Sequence, residues 1–116
     1  MATDEFFVSL TVNETVRLIH DAMTCASFTG ELLDQHEFVL PAGRCVIQVF
    51  ERHYMRAGNR LTLTVTVDDY TGTTRVHSVG SGGGAGLFRF DWGASKSFAA
   101  APQEALAAYL VSPPQR

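Results

Sequence analysis

The feature that most constrains the fold is a long central region in which apolar and polar residues alternate. The alternation runs from about residue 28 to residue 89. It is clearest at residues 61–67, where Leu or Val occupies every second position and Thr the positions between. Successive side chains of a strand point to opposite faces of a sheet, so this pattern predicts strands with one apolar and one polar face. Such a sheet must bury its apolar face against other elements.

Turn-forming residues divide this region into separate strands. Residues 41–43 and 57–59 mark two turns, because Gly and Asn tolerate positive φ and Pro interrupts a strand. Phe88, Phe90 and Trp92 alternate with their neighbours, which predicts a sixth strand after the glycine-rich segment. The first five predicted strands are 5–10, 30–40, 44–55, the strand beginning at 61, and 73–79.

Helices are predicted near the two ends of the chain. Thr11 and Glu14 have the spacing of a capping box, and behind them apolar residues recur at helical spacing, which predicts helix 1 over 12–26. Pro102 suits the first position of a helix, where its missing N–H costs nothing. It predicts helix 2 over 102–111, with residues 112–116 as a disordered tail.

The element order β-α-β-β-β-β-β-α favours an α+β fold. We predict a single antiparallel sheet of five to six strands with two helices on one face. A chain of 116 residues is long enough for one hydrophobic core, so residues 1–116 are expected to form a single domain. Besides the alternating strand residues, the predicted core contains Leu10, Val16, Ile19, Met23, Phe90, Trp92, Leu106 and Leu110.

Composition excludes several classes of function. The net charge is −3 and the pI is about 5.7, whereas nucleic-acid binding needs a concentrated basic surface. No apolar run approaches the length of a membrane span, and no signal sequence opens the chain. Two cysteines are too few for a disulfide scaffold. We therefore expect a cytoplasmic protein with neither nucleic acid nor membrane as partner.

The most distinctive segment is the glycine-rich run at residues 80–86. It superficially matches a dinucleotide fingerprint, but that motif must open a helix in a βαβ unit, and here a strand is predicted to follow. Two interpretations remain. The glycines permit close backbone approach or form bulges, or their amides receive a small anionic ligand beside arginines. The second interpretation defines a candidate ligand site at Gly82, Gly83, Gly84, Arg75 and Arg89.

Predicted strand 3 contains a possible acid–base pair. Glu51 and His53 are two positions apart and can share a face, where the carboxylate would hold the imidazole tautomer and raise its pKa. The alternative is a bulge or a solvated strand end. The four histidines and Cys45 lack the spacing of metal ligands. Neither a metal nor a cofactor is therefore expected.

Residues 78–94, SVGSGGGAGLFRFDWGA, resemble a family of small uncharacterised bacterial proteins. Those proteins have a similar glycine-rich run followed by an aromatic strand and Trp-Gly, and the resemblance extends to residues 54–56 and over most of the chain. The resemblance implies no activity, so no functional residues can be carried over from it. In topology alone, the predicted order is similar to TBP-like or START-like folds, which does not establish function.

Our leading hypothesis is a non-enzymatic module for small-molecule binding or homo-oligomeric assembly. The alternative is an enzyme acting on a small acidic metabolite, with Glu51 and His53 transferring protons and Arg52 or Arg56 as anchor. A homodimer is a further possibility, with predicted strand 4 pairing with itself along an exposed edge.

Overall fold

A computed structural model describes the chain at residues 2–25, 30–54, 59–82 and 88–114, with the backbone alone at 53–54, 59 and 88–95. The described elements, in chain order, are β1 (Ala2–Val8), α1 (Val12–Thr24), β2 (Gly30–Leu40), β3 (Gly43–Tyr54), β4 (Asn59–Asp68), β5 (Thr74–Gly82), α2 (Phe88–Ala105), a 3₁₀ turn (Ala107–Tyr109) and β6 (Leu110–Val111).

The described strands form one antiparallel sheet in the order β2-β3-β4-β5-β1-β6. Helix α1 packs on β2, β3 and β4, while α2 packs on β1, β4 and β5 and touches α1. Both helices therefore lie on the same face, and the predicted α+β architecture is confirmed. We call the opposite side of the sheet the open face.

The hydrophobic core lies between the sheet and the two helices. On β4, Leu61, Leu63, Val65 and Val67 are at most 1% exposed, while the threonines between them are half-buried on the open face. The alternation in the sequence therefore predicted the faces of this strand correctly.

The predicted helical contributions to the core are confirmed for four residues. Val16, Ile19, Met23 and Leu106 are buried, and Leu10 packs partly buried against them. Leu110 is exposed, because it belongs to β6 at the margin of the sheet rather than to a helix. Its assignment to the core was wrong. The side chains of Phe90 and Trp92 lie outside the described residues.

The start of α1 has the predicted capping box. The Glu14 amide donates to Thr11 Oγ1 at 3.1 Å, and the Thr11 amide donates back to Glu14 Oε1 at 3.0 Å. These two bonds satisfy amides that a helix start otherwise leaves without partners. They also hold the pKa of the Glu14 carboxyl below its ordinary value.

The aromatic segment after the glycines is helical, so the predicted sixth strand at Phe88–Trp92 was wrong. A short apolar alternation fits either period, and here Phe98 and Ala101, buried three residues apart, continue a helical pattern. Helix 2 was also misplaced, because α2 spans Phe88–Ala105 and Pro102 lies inside it.

This correction removes one reason for rejecting the dinucleotide fingerprint, since a helix does follow β5. The other reason remains. Every pair of neighbouring strands in the described sheet is antiparallel, whereas the fingerprint requires adjacent parallel strands in a βαβ unit.

Strand β4 cannot dimerise by pairing with itself, contrary to the prediction. It lies between β3 and β5, and both of its edges are used in ladders within the chain. The described edges of the sheet belong to β2 and β6.

Candidate interaction surface

The strand register arranges the open face in rows that cross the sheet. One row begins at the exposed ring of Phe38 on β2 and ends at Val111 on β6. Along its length it contains, in order, Phe38, Cys45, Asp68, Arg75, Phe7 and Val111. The row joins both edges of the sheet, so substitutions at its two ends can be compared on the same face.

An ion pair anchors the middle of this row. Arg75 donates to Asp68 Oδ2 from Nε at 3.1 Å and lies 3.0 Å from the same oxygen through its terminal nitrogen. The Asp68 side chain is only 3% exposed and also accepts the Tyr70 amide at 3.3 Å. Arg75, a member of the predicted anion site, is therefore engaged with a nearly buried carboxylate.

Cys45 lies beside this ion pair, on the neighbouring strand β3. Burial raises the pKa of the Cys45 thiol, and the negative charge of Asp68 raises it further against the opposing effect of Arg75. A raised pKa keeps the thiol protonated at neutral pH, whereas a nucleophilic cysteine requires the thiolate. This row therefore does not provide a reactive cysteine.

The rest of the predicted anion site is described in part. At Gly82, φ is +116°, and a Cβ atom would lie 2.4 Å from the Arg60 carbonyl oxygen. That contact supports the close-approach interpretation at this glycine. Gly83, Gly84 and the Arg89 side chain lie outside the described residues, so the anion site stays a prediction.

The proposed acid–base pair is also described in part. The Glu51 side chain is mostly buried on the open face, and Oε2 lies 3.8 Å from a terminal nitrogen of Arg60. The His53 side chain, like all of Arg56, lies outside the described residues. Proton transfer between Glu51 and His53 therefore stays a prediction.

A polar pair and an aromatic pair lie elsewhere on the open face. His77 Nδ1 lies 3.1 Å from Glu5 Oε1 across the β1–β5 ladder. On β2, the rings of His36 and Phe38 meet edge to face, with centroids 4.5 Å apart. Edge-to-face packing fixes the direction of the Phe38 ring although the ring is substantially exposed.

The feature that sequence reasoning missed is the β2 edge. Strand β2 is eleven residues long, and every residue from Leu33 to Leu40 is exposed. Val39 and Leu40 are 68% and 58% exposed, unusually high for side chains of their size. Three consecutive apolar residues at 38–40, directly before Pro41, were the available signal, because an alternating strand buries only every second position.

The other edge of the sheet is covered in part by β6, which pairs with Phe7 and Val8 of β1. Strand β6 is two residues long, and Pro113 and Pro114 follow it. Proline lacks the N–H that a further strand would need, so it blocks extension of a sheet. One edge strand is thus long and ends in three exposed apolar residues, whereas the outermost strand at the other edge is short and followed by prolines.

These observations define an α+β protein whose candidate functional surface is a free sheet edge. The chain belongs to DUF6054, a family of unknown function whose model matches residues 1–110. No curated protein and no solved structure gave a significant match. Membership agrees with the predicted resemblance to an uncharacterised family, while bacterial origin stays a prediction.

None of the helices among the described residues combines the length and apolarity needed to cross a membrane. Among the same residues, no three His, Cys, Asp or Glu side chains are grouped so that they could hold a metal ion.

Proposed function

We propose that this protein is a non-enzymatic assembly module that forms a homodimer through its β2 edge. The observation that carries the proposal is the eleven-residue edge strand with exposed apolar side chains at Leu33 and at residues 38–40. An edge strand of this kind presents unpaired backbone groups to another strand, and most proteins shorten or charge such an edge to prevent pairing.

A second copy of the chain suits this edge for a geometric reason. The segment 34–40 follows the bulge between Leu32 and Asp34 and pairs regularly with β3. Two such segments related by a two-fold axis run antiparallel, like all other neighbouring strands of the described sheet, and have equal lengths. The contact is isologous, so every contact between two residues occurs twice in the interface.

Charge opposes this pairing only weakly. The segment contains two carboxylates, Asp34 and Glu37, and Glu37 already forms an ion pair with Arg44 of its own chain. Asp34 is the remaining acidic group of the segment, so two copies bring few uncompensated charges together. We expect added salt to strengthen the dimer by screening the residual repulsion.

The two-fold contact uses the β2 edge of both copies, which limits that contact to two chains. On the opposite side of the sheet, β6 pairs only with Phe7 and Val8 of β1, so a mass above that of a dimer would reveal association there. The expected species is therefore a dimer of twice 12.7 kDa.

The test compares charge insertion at the two ends of one row. Phe38 and Val111 lie on the open face and are 44% and 40% exposed, but they lie at opposite edges. We expect Phe38→Lys to weaken the dimer by about tenfold or more, because each interface would gain two lysines in place of two aromatic rings. Val111→Lys is the matched control and should leave the dimer unchanged.

Sedimentation equilibrium over a series of protein concentrations measures both effects, and circular dichroism checks that each variant is folded. A wild-type mass of 12.7 kDa at the highest soluble concentration would overturn the proposal. Equal weakening by both lysines would do the same, because it would place the contact on the whole open face rather than on the β2 edge.

A further inference from the structure

A groove lies on the helix side of the sheet, between α1 and β2. Its volume is 510 Å³. Helix α1 contributes Asn13, Val16, Arg17 and His20, and β2 contributes Leu32 and Gln35. The four helix positions have the spacing i, i+3, i+4 and i+7, which places them on one side of the helix.

The charge of this lining is opposite in sign to that of the whole chain. The protein has a net charge of −3, yet the six lining residues include Arg17 and no carboxylate. His20 Nδ1 lies 3.5 Å from Asp21 Oδ1. Glu14 interacts electrostatically with Arg17, but its Oε1 accepts the Thr11 amide and hydroxyl at the helix cap, which leaves the Arg17 guanidinium without a hydrogen bond to a described residue.

A buried amide positions one of the polar groups in the groove. Gln48 is fully buried, and its Nε2 donates to Gln35 Oε1 at 3.1 Å and to the Val16 carbonyl at 3.3 Å. Because Gln35 accepts through its oxygen, its own amide nitrogen is left to donate. Gln48, on the neighbouring strand β3, thus fixes the orientation of the Gln35 side chain.

The hydrogen-bonding capacity of the Gln48 amide is only partly satisfied. Its buried Oε1 has no hydrogen-bond partner among the described residues, and an unsatisfied buried acceptor is unfavourable. A leucine would fill the same space without that penalty. Local costs of this kind are characteristic of functional sites, and here the benefit is the fixed direction of Gln35.

We propose that this groove binds a small organic carboxylate, with Arg17 as its charge partner. The guanidinium fork matches a carboxylate, and Asn13 and Gln35 supply amide groups beside it. Val16 and Leu32 give the groove an apolar part that suits a short alkyl chain. A phosphate site usually contains several backbone amides in addition to a cationic side chain. The lining of this groove offers one guanidinium, which favours a carboxylate over a phosphate.

The site and the dimer contact share the strand β2, because Gln35 belongs to the segment 34–40, but they can be tested separately. The groove lies on the helix face, while Phe38 lies on the open face on the other side of β2. The Phe38→Lys variant should therefore bind the carboxylate as the wild type does, even where it fails to dimerise. Loss of the dimer and loss of the ligand are thereby distinguishable.

The experiment is an NMR titration of backbone amides with sodium butyrate, its neutral counterpart butyramide and inorganic phosphate. We expect saturable shifts at α1 and β2 with butyrate, and affinity at least about tenfold lower for butyramide, because a charge-assisted bond is lost. Phosphate should give no saturable shift there. Arg17→Gln should weaken butyrate binding by at least about tenfold.

Arg60→Gln is the matched control, since Arg60 is an exposed arginine at the far end of β4. It should leave butyrate affinity unchanged, while Gln48→Leu should lower affinity in a protein that remains folded. The proposal is overturned if butyrate gives no saturable shift, if phosphate or butyramide binds as tightly, or if the two arginine variants behave alike.

Discussion

The two ends of the sheet are built in opposite ways. At the β6 end, the strand has two residues, the Ser9 amide donates to the Tyr109 carbonyl at 3.0 Å, and prolines follow. At the β2 end, eleven residues run along an exposed edge with apolar side chains. Because a short strand followed by prolines resists pairing and a long edge strand with exposed apolar residues favours it, we expect association at the β2 end.

The hydrogen bonds that join the sheet to its helices also differ between the two ends. On the β6 side, buried Ser78 donates to the Ala99 carbonyl of α2 at 2.8 Å. On the β2 side, Gln48 donates to the Val16 carbonyl of α1 at the longer distance of 3.3 Å, and its own oxygen lacks a described partner. Both halves contain fully buried core residues, such as Phe50 and Ile19 on the β2 side and Leu106 on the β6 side, but the candidate binding surfaces lie in the β2 half.

The largest expected effect comes from truncating one leucine in each half of the sheet. Leu106 is fully buried beside the β6 end, and Leu33 is half-exposed on β2. We expect Leu106→Ala to lower the free energy of unfolding by about 3 kcal/mol, since it leaves a cavity. Leu33→Ala should change it by no more than about 0.5 kcal/mol. Urea unfolding measures both, and similar losses for the two variants would contradict the description of β2 as an exposed edge.

A smaller difference in stability is expected between substitutions of the buried polar residues Ser78 and Gln48. Ser78→Ala should cost about 1 kcal/mol, because it removes a buried hydrogen bond to α2. Gln48→Leu should be nearly neutral or stabilising, since it removes an acceptor that has no described partner. Thermal unfolding of the two variants provides the measurement. A large destabilisation by Gln48→Leu would show that this amide stabilises the fold, not only the groove.

The smallest expected effect is the pH dependence of the α1 cap. The pKa of Glu14 is lowered from 4.5 by its bonds with Thr11, so the ionised form stabilises the folded state. That contribution is present above pH 4.5 and is lost as the pH falls through the lower, folded-state pKa. The stability difference between wild type and Glu14→Gln should therefore shrink below pH 4.5, as measured by urea unfolding over a pH series. A difference independent of pH would contradict this assignment.

Sequence patterns that repeat over many residues predicted the fold well. The alternation along β4 gave the correct faces, and the capping box placed the start of α1 at Val12. The aromatic segment from Phe88 misled because three aromatic residues at alternate positions fit a strand or a helix equally. Its helical state depends on packing of Phe98 and Ala101 against the sheet, which a short window does not contain.

The candidate sites were less accessible from the sequence. Arg75 was assigned to an anion site because the sequence does not show that Asp68, seven residues away, lies opposite it. Arg17 and His20 were visible only as polar positions on a helix. Their groove depends on β2 lying beside α1, which the order of strands in the sheet decides.

The sequence by itself determined that β4 has one apolar face, that α1 begins after Thr11, and that the fold is α+β. These properties follow from local periodicity and from short-range hydrogen bonds. Only the tertiary structure decided that β4 is interior and β2 is an edge, and that Gln48 meets Gln35 beneath α1. The physical reason is that strand order is set by contacts between distant segments, so an exposed edge cannot be recognised until the sheet is assembled.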